Sequence, residues 1–145
     1  TAIKTPLADN SIEVTYEYYN RTLNQYELHT INYAVNVSSQ LVRTKTVTAA
    51  ILPNPNPATE VILPNVTALN FRYGIDANSD GVMDIAGATI ADTDYVTAAT
   101  AGTQTVVAIR VQLTARPERT DQDITKVVSP RTLVSAVTLR NLCLR

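Results

Sequence analysis

The sequence has 145 residues, of which 45% are hydrophobic, and its formal net charge is −1. This length and composition suit one globular domain and exclude a disordered chain, while the near-zero charge argues against a nucleic-acid-binding protein, which is normally distinctly basic. No apolar run is long enough to span a bilayer, and no secretory signal is visible at the first residue.

β-Branched residues dominate the secondary-structure signal. Thr, Val and Ile make up about a third of the chain, and such residues pack well on the pleated surface of a sheet. Apolar and polar residues that alternate with a period of two predict half-buried strands. In chain order, the predicted strands span residues 11–19, 26–37, 41–47, 61–63, 66–73, 104–116 and 132–144.

Turn-forming residues mark the connections between these strands. Three prolines at alternate positions in residues 52–57 exclude both a helix and a central strand there. Residues 76–87 form a loop rich in Asp and Gly, and residues 117–122 form a charged turn. The first three strands are predicted to form an antiparallel meander. We therefore expect a mainly β fold, an antiparallel sheet or sandwich, in a single domain over residues 1–145.

The residue types that catalysis needs are sparse. His29 is the sole histidine and lies in the middle of a predicted strand, where a surface or packing role is the ordinary one. Cys143 is the sole cysteine, so an internal disulfide is excluded and a typical zinc site cannot be built. The four glycines are scattered, so no phosphate-binding loop is present. The sequence therefore predicts a protein that is not an enzyme.

The loop after the fifth predicted strand carries the strongest chemical signal. Oxygen-bearing residues at alternate positions, followed by a glycine, are typical of loops that wrap Ca²⁺. The predicted ligands are Asp76, Asn78, Asp80, the carbonyl group of Val82, and Asp84. Gly87 occupies the position of the usual bidentate glutamate, so Asp92 or Asp94 would have to supply the missing oxygens. A plain turn, built from residues that favour turns, is the alternative interpretation.

Three segments in a fixed order resemble a known family. Leu69-Asn-Phe-Arg-Tyr-Gly-Ile-Asp76 runs into the acidic loop, a strand that carries Arg110 follows, and the chain closes on Val137-Thr-Leu-Arg-Asn141. This order resembles the heads of W-type minor pilins of type IV pili and of the J-type minor pseudopilin of type II secretion. The resemblance covers residues 10–142, and residues 33–43 look like the early hairpin of these heads.

The resemblance implies a structural subunit that takes part in pilus or pseudopilus assembly at the filament tip, on the cell surface or in the periplasm. Its partners would be other pilin or pseudopilin subunits, met through exposed segments at residues 53–57, 76–84 and 116–123. Such proteins begin with a leader, the sequence Phe-Thr-Leu-x-Glu and a long apolar helix, which this sequence lacks. We therefore expect that the helix was removed or lies on a separate helical pilin chain. The chain would meet a membrane only through that helix, and restoring it would give an α+β pilin fold.

A secreted β-sandwich that binds calcium and a carbohydrate or another surface partner is the alternative, and it would be an adhesion module. Five tyrosines could form an aromatic face for such a ligand: Tyr16, Tyr18, Tyr19, Tyr26 and Tyr33. Cross-strand tyrosine pairs within the fold are the other explanation for the same residues. A viral or other assembly protein is a third hypothesis.

Overall fold

The computed structural model describes residues 2–3, 6–49, 57–116 and 130–139. These residues form eight strands, a 3₁₀ turn at Asp92–Asp94 and one short helix, α1, at Ala98–Ala101. The strands are β1 (Ala2–Ile3), β2 (Ser11–Asn20), β3 (Gln25–Val35), β4 (Leu41–Ala49), β5 (Ala58–Leu63), β6 (Val66–Asp76), β7 (Thr105–Ala115) and β8 (Arg131–Thr138).

The first five strands form one antiparallel sheet, the large sheet, in the order β1-β2-β3-β4-β5. Each strand pairs with its neighbour in sequence, and short turns join β2 to β3 and β3 to β4. Asn24 and Ser39 adopt positive φ in these turns, a conformation that short polar residues reach more readily than bulky ones. The predicted meander of the first three long strands is therefore confirmed.

The last three strands form a second antiparallel sheet, the small sheet, in the order β6-β7-β8. Directly opposite residues point to the same face of a sheet. The inner face of the small sheet therefore carries Leu69, Phe71 and Tyr73 of β6 beside Leu113, Val111 and Ile109 of β7. The two sheets confirm the prediction of a mainly β, antiparallel fold.

The hydrophobic core lies between the inner faces of the two sheets. Tyr73 is fully buried, and Ile12 of the large sheet is only 8% exposed. Val14, Tyr33 and Leu41 add partly buried apolar surface from the large sheet. Removing this apolar surface from water stabilises the fold at roughly 25 cal/mol per Å². The core therefore sits where the start of β2 and the end of β3 meet the small sheet.

Strand ends differ from the predicted ones where turn chemistry or packing decides them. β3 ends at Val35, not at residue 37, because Oδ1 of Asn36 accepts hydrogen bonds from two following N–H groups, each at 3.0 Å. This side chain therefore starts a turn. β5 begins at Ala58 and β6 continues to Asp76, so both strands are longer than predicted.

The connection from β6 to β7 is attached to the free edge of β6. Tyr73 and Val96 exchange two backbone hydrogen bonds, both of 2.9 Å. Directly after this bridge, the Thr97 hydroxyl accepts a hydrogen bond from the N–H of Thr100 and caps α1. Sequence analysis predicted neither α1 nor the 3₁₀ turn, because each is too short to show a helical period.

Two other segments cover the same edge of β6. The N–H of Phe71 donates to the carbonyl oxygen of Asp9 at 2.7 Å, and the N–H of Val66 donates to that of Ser39 at 2.7 Å. Backbone groups of an edge strand otherwise offer a template for another chain. The β6 edge of the small sheet is therefore covered by the protein's own backbone.

Several predicted features fall outside the described residues. They are most of the proline-rich connection at 52–57, the charged turn at 117–122 and the chain beyond residue 139, including Cys143. Within the described ranges, no helix has both the length and the apolar character needed to cross a bilayer.

Candidate assembly surface

The acidic turn at residues 76–84 is built around Asp76, the last residue of β6. Although the residues after it are exposed, Asp76 is only 4% exposed. Its Oδ1 accepts a hydrogen bond from the N–H of Asp80 at 3.2 Å, and its Oδ2 accepts one from Gly81 at 2.9 Å. Gly81 adopts a φ of 83°, which a residue with a side chain rarely does. The buried carboxylate therefore bends the chain back towards the strand.

The other predicted calcium ligands lie in the same turn and also bind backbone groups. Oδ1 of Asn78 accepts a hydrogen bond from the N–H of Asp80 at 3.0 Å, and Oδ1 of Asp80 accepts one from Val82 at 2.8 Å. Oδ2 of Asp84 accepts a hydrogen bond from Ala77 at 2.7 Å. The structure thus brings the five predicted residues together in one turn that its own hydrogen bonds hold in shape.

Calcium binding by this turn stays a prediction. In the described part of the chain, no three His, Cys, Asp or Glu side chains are grouped so that they could share a metal ion. If the turn binds Ca²⁺, millimolar Ca²⁺ should raise the melting temperature of the wild type, and Asp80→Asn should remove most of that rise. Differential scanning calorimetry with Mg²⁺ as the control measures this effect. An equal rise in both proteins would contradict binding at this turn.

Asp92 and Asp94 bind groups other than the turn at 76–84. Asp94 accepts hydrogen bonds from the N–H groups of Ala91 at 2.7 Å and Ala86 at 3.1 Å. These two backbone bonds hold the pKa of Asp94 below its ordinary value of 3.8. Asp92 forms a salt bridge of 2.6 Å with Arg110, which fastens this connection to the outer face of β7. Both carboxylates therefore order the long connection.

Asp9 ties the segment before β2 to the small sheet. Its carboxylate accepts the N–H of Ala98 at 2.8 Å and lies 2.8 Å from the Arg72 guanidinium. Sequence analysis did not single out Asp9 or its pairing with Arg72, because the residues that meet here lie far apart in the chain. A lone Asp in a loop carries no local signal for such contacts.

A polar cluster occupies the inner face of the large sheet beyond the core. Glu27 and His29 are 5% and 6% exposed, and Nε2 of His29 lies 2.8 Å from Oε2 of Glu27. The side-chain amide of Asn20 donates to Oε1 of Glu27 at 2.7 Å, and the Tyr16 hydroxyl lies 3.2 Å from Nδ1 of His29. Hydrogen bonds from His29 and Asn20 hold the pKa of Glu27 below its ordinary value of 4.5. The sole histidine of the sequence is thus held within the sheet.

This cluster gives the fold an acid-sensitive contribution to stability. A carboxylate whose folded-state pKa is lowered stabilises the fold above its unfolded pKa, and that contribution is lost as pH falls through the lower folded value. We expect Glu27→Gln to lower the melting temperature at pH 7 and to flatten its decline below pH 4.5. Melting curves from pH 7 to strongly acidic solution, with Glu17→Gln on exposed β2 surface as the control, test this. If the melting temperature of Glu27→Gln declined at acidic pH as steeply as that of the wild type, Glu27 would not be the source of the acid sensitivity.

The five tyrosines do not form one aromatic face. Register places Tyr16, Tyr18 and Tyr33 on the inner face of the large sheet, and Tyr19 and Tyr26 on its outer face. Tyr19 and Tyr26 are directly opposite, with ring centroids 5.1 Å apart. The outer two therefore form a cross-strand pair, as the second explanation predicts.

Two strand edges are the most exposed parts of the sheets. Every residue of β8 is exposed, and the exposed fractions of Leu133, Val134 and Val137 are 66%, 46% and 55%. β5 is similarly exposed, with Val61 and Ile62 about half accessible. Exposed apolar side chains on an edge strand are typical of surfaces that bind another protein.

Of the three segments predicted to contact partners, the structure describes one fully and the other two only in part. The turn at 76–84 is exposed from Ala77 to Val82, which is consistent with the prediction. Of the segment 53–57 only Pro57 is described, and of 116–123 only Arg116, whose N–H donates to the carbonyl oxygen of Asn65 at 2.9 Å. The remainder of both segments lies outside the described residues.

Comparison with known proteins connects this chain with a cellular process. A family model described as type IV pilus-assembly protein W matches residues 25–141, which include β3 to β8 and the acidic turn. No curated protein matches the chain. The match supports the W-type part of the resemblance, an involvement in type IV pilus assembly and an extracytoplasmic location, whereas the J-type pseudopilin stays a prediction. Because the match spans well over half of its length, this chain belongs to the type IV pilus-assembly protein W family.

Proposed function

We propose that this chain is the head of a minor pilin, a structural subunit that enters the type IV pilus at or near its tip and helps to start assembly. The observation that carries the proposal is the family match, which covers most of both sheets. The role we propose is structural and not enzymatic. It agrees with the binding of the sole histidine, His29, to Glu27 and Tyr16 within the sheet.

The head offers two kinds of surface to other pilus subunits. Among the described residues, β5 and β8 each pair with a strand on one side only, so their other edges can pair with a strand of a neighbouring head, a recognition mode that edge strands favour. The turn at 76–84 presents the exposed carboxylate of Asp80 beside the half-buried one of Asp84, on a backbone held by its own hydrogen bonds. A preformed turn loses little conformational entropy on binding, so it suits contact with a basic partner surface.

Deletion and complementation test this function. We expect a strain that lacks this chain to carry few or no surface pili in electron micrographs, and the wild-type gene to restore them. A core variant such as Tyr73→Ala, which should be strongly destabilised, serves as the control that a stable head is needed. Normal pili in the deletion strain would overturn the proposal.

The same strain separates the type IV pilus from type II secretion. A minor pseudopilin would be needed for the release of secreted enzymes and not for surface pili. We therefore expect protein secretion to be unchanged in the deletion strain. A secretion defect with normal pili would favour the J-type resemblance instead.

A further inference from the structure

β8 is an open edge of the small sheet. It pairs with β7 on one side, and no described residue pairs with it on the other. Both of its faces are exposed, including Leu133 and Val137 on the inner face and Val134 on the outer face. An apolar strand with free backbone groups is a surface that another strand can extend.

The other edges of the two sheets are hindered from strand pairing more than β8 is. The β6 edge is covered by the protein's own backbone. β1 is only two residues long, and β5 carries Glu60 and meets β4 with a register shift at Leu41. Short edges, charges and bulges all protect against pairing. β8 pairs with β7 in unbroken register and carries no proline, and its one charge is Arg131 at the start.

The hydrogen bonds between β7 and β8 show which backbone groups of β8 point away from β7. The N–H of Leu139 donates to the carbonyl oxygen of Val107 at 2.8 Å, so residue 139 faces β7. Backbone N–H and C=O groups alternate in direction along a strand, so residues 133, 135 and 137 face β7 as well. Val134 and Ala136, with the threonines at 132 and 138, therefore point their N–H and C=O groups away from β7.

The sequence of β8 is nearly the same in both directions. Thr132-Leu-Val-Ser-Ala-Val-Thr138 has Ser135 at its centre, with a small or branched apolar pair on each side and threonine at both ends. Two antiparallel copies centred on Ser135 would place Leu133 opposite Val137 and Val134 opposite Ala136. This register also allows the backbone hydrogen bonds to form. The residues whose N–H and C=O groups point away from β7 then lie opposite each other, and each such pair exchanges two hydrogen bonds.

We propose that β8 pairs with β8 of a second copy of this chain, antiparallel about a two-fold axis at Ser135, so that two small sheets join into one. Apolar side chains then meet apolar side chains on both faces of the joined sheet. The contact is isologous and closes on itself, so it makes a pair of heads and not a filament. The proposal does not rest on the pilus function. Pairing through β8 would still affect pilus assembly, because another pilus subunit that bound the β8 edge would compete with the second copy of this chain.

Site-specific crosslinking tests the register. In antiparallel strands a pair that is not hydrogen-bonded brings its Cα atoms to about 4.5 Å, within the range that a disulfide spans. In a Cys143→Ser background, Ser135→Cys should therefore form a disulfide-linked dimer under mild oxidation. Val137→Cys is the matched control: it lies on the same face of the same strand, but its two copies would be about 14 Å apart, which is too far. Equal crosslinking of the two variants, or none in Ser135→Cys, would overturn the proposal.

The mass of the head in solution provides the second readout. Sedimentation equilibrium over a concentration series should show a reversible change from the 15.8 kDa chain to twice that mass. Val134→Pro removes one outward N–H without removing a bond to β7, so we expect at least a tenfold weaker pair. Val134→Thr keeps that N–H and should pair within a fewfold of wild type. A wild type that stays monomeric at all concentrations, or Val134→Pro pairing as tightly as wild type, would contradict the pair.

Discussion

Replacing Tyr73 with alanine is expected to destabilise the head by about 3–5 kcal/mol, the cost typical of truncating a large buried aromatic side chain. Tyr73 is fully buried in the cluster between the sheets. Its hydroxyl donates a hydrogen bond of 2.5 Å to the carbonyl oxygen of Ala8, which links the small sheet to the segment before β2. A domain of this kind is stable by roughly 5–15 kcal/mol, so this one change removes a large part of the total.

Urea denaturation followed by circular dichroism measures this loss. Tyr73→Phe is the matched control, because it keeps the ring and removes only the hydroxyl. We expect it to cost about 0.5–1.5 kcal/mol, the net value of an ordinary hydrogen bond. A loss below about 1 kcal/mol for Tyr73→Ala would show that the ring is not a central part of the core.

Replacing Gly74 with valine is expected to cost about 1–3 kcal/mol through overpacking. A Cβ at this position would lie 2.5 Å from the sulfur of Met83 and 2.9 Å from the Cβ of Ala108. The end of the Met83 side chain can move, but Ala108 lies directly opposite Gly74 on β7 and cannot move without the strand. The valine therefore pushes the turn at 76–84 away from the sheet or strains the β6–β7 ladder.

Gly87→Ala provides the comparison for this prediction. The nearest atom to a Cβ at Gly87, apart from its chain neighbours, is the carbonyl oxygen of Thr89 at 4.0 Å, an ordinary contact. We expect this variant to stay within about 0.5 kcal/mol of wild type. Thermal melts of both variants test the difference. Equal melting temperatures would mean that Gly74 is not constrained by close packing.

The strands could be predicted from the sequence where one of their faces is buried. β2 shows this alternation, with Ile12 and Val14 on the inner face and Glu17 exposed on the outer face. In the first half of β3 the polarity is reversed, because Glu27 and His29 are buried whereas Tyr26 and Leu28 are exposed. The end of β6 was predicted three residues early. Gly74 and Asp76 have low strand propensity, but close packing against Ala108 and hydrogen bonds to the turn keep both in the strand.

The contacts that depend on distant residues could not be predicted from the sequence. The pairing of Asp9 with Arg72 and that of Asp92 with Arg110 join segments that meet only in the folded chain. The exposure of β8 could not be predicted either. Apolar residues such as Leu133 and Val137 are typical of a buried strand, but both are exposed at the edge of the small sheet. The position of the acidic turn could be predicted because turn-forming residues act locally. Whether the turn binds a metal ion depends on the directions of its side chains, which residue spacing does not determine.

The composition of purified pili tests the central claim most directly, because a minor pilin must be part of the filament. Pili sheared from wild-type cells would be analysed by quantitative mass spectrometry, with pili-free supernatant from a strain lacking the major subunit as the control. We predict that peptides of this chain are present in the filaments, in far fewer copies than the major subunit, and absent from the control. Filaments that lack this chain while assembly still depends on it would contradict its role as a pilus subunit.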